Sequence, residues 1–205
     1  MILKYRAKEG FSLVEMLISM AITAILMLTL IAILSYSSRS MRTTQAKVAL
    51  QDQAKDAVNH ISTYVQQSGN VKKSPVVSWN ATSHVLTVRN VNINNTGVSE
   101  AAISSVDAYV YWLDGNHLYF REVDSSFDSS FHPEDPSSEV DASKLTGMSD
   151  SAKKQCLLAD DVDGFNCSIG TTVNDSSKKV LHVTVSMADT YSRYECKKDI
   201  MMRNQ

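Results

Sequence analysis

Between Glu15 and Arg39 the chain carries no charged residue, and between Phe11 and Ser68 it carries no glycine and no proline. Each absence excludes something. A run without charge, Met16 to Leu34, is 19 residues of MLISMAITAILMLTLIAIL. That suits a bilayer span, which needs about 20 apolar residues at about 1.5 Å each. Without Gly or Pro, nothing local stops a helix until Ser68-Gly69-Asn70, where Gly69 suits a left-handed C-terminal cap. Glycine is scarce throughout, seven in 205 residues, and forms neither a G-x-S-x-G elbow nor a G-x-x-x-x-G-K phosphate loop. The five histidines (60, 84, 117, 132 and 182) contain no H-x-x-x-H pair, so no zinc site and no catalytic constellation is expected. No cofactor and no enzymatic activity follows from these residues.

Charge is equally restrained. The formal net charge is −2, without the basic footprint of a nucleic-acid binder. Lys4, Arg6 and Lys8 against Glu9 give the first ten residues +2, which favours keeping them in the cytoplasm. Arg39, Arg42 and Lys47 follow the apolar run, so the basic bias is not clean. A cleavable secretory signal has a shorter apolar stretch and a small-residue cut site. This run is longer, and an anchor that is kept is expected. Glu15 is then a carboxylate at the edge of a spanning segment, a costly place that marks a functional site by default.

Cysteine is also sparse. Cys156, Cys167 and Cys196 are candidates for one disulfide of unassigned pairing outside the cytoplasm, for free thiols, or for a metal set that lacks any C-x-x-C pair. Asp160, Asp161 and Asp163 before Gly164 do not keep EF-hand spacing, since position 172 is Thr. They read as a solvated strand end or turn.

Gly10-Phe11-Ser12-Leu13-Val14-Glu15-Met16, after a short basic leader and before a spanning run, resembles the processing site of type IV prepilins and type II secretion pseudopilins. The resemblance implies a prepilin peptidase that cuts after Gly10 on the cytoplasmic side and methylates the new amino group of Phe11. It also implies an assembly contact at Glu15, pairing with that amino group. The fold implied is α+β, the pilin fold, with a long N-terminal helix packed on an antiparallel sheet. Type IV pilins often carry a helix-breaking Pro near the position of Ala32; this chain has none, so the resemblance does not extend to melting there.

The expected organisation is a leader over 1–10, a transmembrane and filament-core helix over 11–38, and an amphipathic second half over 39–69. A β-rich extracytoplasmic head over 70–205 follows. The helix would run 58 residues, about 87 Å. Its outer half carries an apolar stripe of Ala46, Leu50, Ala54, Ala57, Val58, Ile61 and Val65 at three- and four-residue steps. Beyond Gly69 the period falls to two. Strands are predicted at 85–88, 106–113, 117–123, 155–165, 180–186 and 194–202, with a hairpin over 108–123 turning at Asp114-Gly115. Residues 124–151, with seven acids against one lysine, Pro133 and Pro136, are expected to form an irregular surface loop.

Tyr111-Trp112-Leu113-Asp114-Gly115, Leu118-Tyr119-Phe120-Arg121, Leu157 to Phe165 and Met202-Arg203-Asn204 are similar to J-type pseudopilins and W-type minor pilins. The resemblance implies a minor subunit rather than a major one. Its partners would be prepilin peptidase, other major and minor pilins or pseudopilins, the inner-membrane assembly platform and, before assembly, membrane lipid. It would rest in the cytoplasmic membrane, leader inside and head outside, and later in a pilus or pseudopilus at the cell surface or in the periplasm. The alternatives are a J-like pseudopilin of a type II secretion system and a tip adhesin binding a target through the head.

Overall fold

The computed structural model describes residues 12–68, 77–93, 103–124, 126–133, 135, 138–172 and 175–202. The fold is α+β. Helix α1 runs Leu13–Gln67, and the chain divides into two compact units, Met1–Gln45 and Ala46–Gln205. The expected start at Phe11, the leader, and the Gly69 cap lie outside the described residues. At the C-terminal end the Ser68 N–H donates to the Tyr64 carbonyl at 2.9 Å and its hydroxyl donates to Val65 O, closing the last turn.

The second unit is built by the stripe on α1. Leu50, Ala54, Ala57, Val58, Ile61 and Val65 are buried, while Ala46 is half-buried. A helix with one apolar face must bury it, and burying each Leu, Ile or Val contributes about 1.5–3 kcal/mol. The small Ala54 and Ala57 let the backbone come close to the sheets. One core unites this stripe with Leu86, Val88, Tyr111 and Leu118 from one sheet and Phe165, Val183, Val185 and Ile200 from another.

The first sheet has the order β1-β2-β3-β4-β5, all antiparallel: β1 Val77–Asn80, β2 Val85–Ile93, β3 Ile103–Asp114, β4 His117–Val123 and β5 Leu157–Ala159. The second has the order β6-β7-β8: β6 Val162–Thr172, β7 Asp175–Ala188 and β8 Arg193–Met201. Alternation gives β3 two loyalties. Tyr111 turns into the core with α1, whereas Ala108, Val110 and Trp112 turn to the other face. The β3–β4 hairpin forms over the predicted residues, but Asp114 pairs with His117, so its two-residue turn is Gly115-Asn116, one residue on from the expected Asp114-Gly115. Gly115 takes φ +60° at the first central position, as a type II′ turn requires.

Three expectations need correction. Residues 155–165 are not one strand: α3 Asp150–Cys156 ends there, β5 follows, and Asp161 at φ 57° breaks the chain before β6. The left-handed residue redirects the backbone from the first sheet to the second. Residues 124–151 are not wholly irregular, because α2 Ala142–Thr146 forms with Asp141 as its cap, accepting from the Ser143 N–H at 2.9 Å. The third is β1, which the sequence did not suggest. Phe131, Val140 and Leu145 lie over the outer face of the first sheet and bury Val110 and Trp112 in a second apolar cluster.

Candidate assembly site

The first described residues cap the helix they open. The Glu15 N–H donates to Ser12 Oγ at 3.2 Å, and the Ser12 N–H reaches Glu15 Oε2 at 3.5 Å. This reciprocal pair is a capping box, with Ser12 as cap and Glu15 three residues on. It satisfies two of the four N–H groups a helix start leaves unpaired, and sets a carboxylate at the positive end of the helix dipole. Sequence reasoning treated Glu15 as a lone carboxylate and missed Ser12. The signal was present, since S-x-x-E before an apolar run is the box's signature.

Beyond the cap, α1 shows no burial over its apolar run. Leu17 is 63% exposed, Leu28 67% and Ile33 64%. This helix is long and apolar enough to cross a membrane. The three hydroxyl residues of the 16–34 run, Ser19, Thr23 and Thr29, donate back to the carbonyls of Met16, Ser19 and Leu26 at 2.9, 2.7 and 2.8 Å. In hydrocarbon an unpaired polar group costs several kcal/mol, so this internal bonding suits a lipid or protein surround. The surface is thus apolar in its side chains and closed in its hydrogen bonds.

In the head the marked side chains serve structure. His60 Nδ1 lies 3.1 Å from the Tyr111 hydroxyl, and His60 packs edge-on against Phe120 at 4.4 Å between centroids. Burial lowers the His60 pKa and raises that of Tyr111 well beyond its ordinary value. His117 Nδ1 meets Asp160 at 2.8 Å, and Arg193 meets Asp163 at 2.6 Å, so two of the three clustered acids have cationic or imidazole partners. Asp128 is fully buried and accepts from Lys144 Nζ at 2.6 Å, Ser130 Oγ at 2.6 Å and the Asp141 N–H at 3.1 Å. The Lys144 ammonium, with the Ser130 hydroxyl, holds its carboxyl well below the usual carboxylate range.

The three cysteines are free thiols. No bridge joins them among the described residues, and register sets one pair apart. Cys167 pairs with Val183 and Cys196 with Val185, so β7 stands between them. Two strand spacings of about 4.8 Å exceed the roughly 7 Å limit for a bridge. Cys156 packs in the separate cluster under the 127–156 segment. Burial pushes the Cys167 thiol far up, as for an inert core cysteine.

Gly10 and Phe11 lie outside the described residues, as do Arg203 and Asn204. The remaining pieces of the head pattern fall on β3–β4, on β5 through β6, and on Met202 just past β8. Residues 5–33 match the family model of the prokaryotic N-terminal methylation motif. No curated protein matches the chain.

Proposed function

We propose that this chain, a type IV pilin- or pseudopilin-like protein by its N-terminal methylation motif, is a minor subunit stored in the cytoplasmic membrane and assembled into a filament. Prepilin peptidase cuts after Gly10 and methylates Phe11. The leader stays inside and the head lies outside. The observation that carries the reading is the exposed, internally hydrogen-bonded apolar surface of 16–34 behind a capped carboxylate.

Assembly conserves burial. A helix that leaves lipid for a filament core exchanges one apolar surround for another, so little hydrophobic free energy changes. Glu15 supplies what lipid cannot, a charge that seeks a partner. The amine created at Phe11 lies three covalent bonds from the Ser12 nitrogen that Glu15 already approaches. In a low-dielectric core the attraction between amine and carboxylate offsets the desolvation of both. The head has no part in that pairing and carries the subunit's individual role.

Glu15→Ala is expected to be processed and inserted normally but to enter filaments poorly, read by blotting sheared filaments against membranes. Incorporation equal to the parent would sink the pairing. Gly10→Ala is expected to keep all ten leader residues on intact-mass measurement. Co-purification with pilus subunits supports the surface-filament reading, and co-purification with secretion subunits supports the pseudopilus reading instead.

A further inference from the structure

The apolar run of α1 ends at Leu34 and gives way to Ser35-Tyr36-Ser37-Ser38-Arg39-Ser40-Met41-Arg42. Tyr36, Arg39 and Arg42 recur at steps of three, so they share one side of the helix. All three are exposed, Tyr36 at 78%. Among the described residues neither arginine makes an ion pair. Nor is an acid within reach along α1. Glu15 lies at its far end, and Asp52 stands about 15 Å up the axis from Arg42.

The hydroxyls divide along the same helix. Ser19, Thr23 and Thr29 in the apolar run bond back to the backbone. Beyond the arginines Thr43 and Thr44 do likewise, donating to the carbonyls of Arg39 and Ser40 at 3.1 and 3.0 Å. Between them, Ser35, Ser37, Ser38 and Ser40 make no side-chain hydrogen bond among the described residues and keep their O–H groups as donors.

We propose that residues 35–42 form a headgroup site for an anionic phospholipid of the outward leaflet, whose phosphate takes both guanidinium groups and the serine hydroxyls. This rests on the membrane-stored reading with the head outside, and adds the lipid class and the residues that hold it. The 16–34 run is about 27 Å long, close to the thickness of the hydrocarbon core. Arg39 then stands about 7.5 Å beyond Leu34, and Arg42 about 12 Å, at and just above the layer of headgroups. Side chains on a helix tilt toward its N-terminus, which here lies on the membrane side. Both arginines therefore lean back toward the phosphates. Tyr36 falls at the boundary, where a ring with a polar tip is favoured. Cations on this flank run against the bias that holds basic residues in the cytoplasm, a cost that an outward anion offsets. A guanidinium offers paired N–H donors to two phosphate oxygens, and anionic lipid attracts basic residues beside a span.

The test reconstitutes the full chain in vesicles of equal phosphatidylcholine and phosphatidylglycerol and floats them on a density gradient. Retained lipid is read by native mass spectrometry after release into mild detergent. The parent should float and hold phosphatidylglycerol about tenfold over phosphatidylcholine. Arg39→Gln with Arg42→Gln should float equally and lower that preference about threefold or more. Lys47→Gln with Lys55→Gln removes the same charge from exposed positions farther along α1 and should leave the preference unchanged. A parent that fails to float contradicts membrane storage, and the site with it. Three results would overturn the headgroup site alone. One is a floating parent that holds both lipids alike. Another is an Arg39→Gln, Arg42→Gln chain that keeps the full preference. The third is a Lys47→Gln, Lys55→Gln chain that loses it to the same extent.

Discussion

At the scale of single residues, two carboxylates do opposite work. Glu15 sits exposed at a helix start and, among the described residues, is bonded to its own cap. Asp128 is enclosed with its partners already in place. Its depressed folded pKa fixes a sign. The stability it contributes is fully present above the unfolded value near 3.9 and is lost as pH falls through the lower folded value. Asp128→Asn should therefore cost the head about 2 kcal/mol at neutral pH, measured by urea denaturation. It should also flatten the loss of stability below about pH 4. Asp128 was legible only as one acid among seven in a polar stretch. Burial of that kind depends on Lys144 arriving from a short helix that the composition of 124–151 conceals.

At the scale of elements, the parts with one consistent period were readable. The stripe on α1 and the β3–β4 hairpin obey local rules over many residues, so pattern fixes them. Residues 157–165 defeated pattern, since LLADDVDGF reads as apolar through a polar dip. Its division turns on one residue, Asp161 in a left-handed conformation, which identity alone does not require. β1 is four residues long and earns its place by pairing with β2, a tertiary gain that no local window contains. Close packing of α1 predicts its own sensitivity. Ala54 has no exposed surface, so Ala54→Leu must displace neighbouring core side chains and should destabilise the head by about 1–3 kcal/mol. Val48→Leu, at a position 49% exposed, should change stability by less than about 0.5 kcal/mol in the same denaturation experiment.

At the scale of the whole molecule, one helix serves two surrounds. Its first unit presents apolar side chains with nothing covering them, and its second buries a stripe under two sheets. The head closes its own core, whereas the apolar half of the helix leaves its side chains exposed among the described residues. On the proposed reading, the N-terminal motif governs how the chain is processed and the head sets its individual role. The measurement that tests this most directly is intact and N-terminal peptide mass spectrometry of the protein taken from a host with prepilin peptidase. The expected product is a chain that begins at Phe11 with one added methyl group and lacks residues 1–10. A chain that keeps residues 1–10, or one cut at any bond other than Gly10–Phe11, would contradict it.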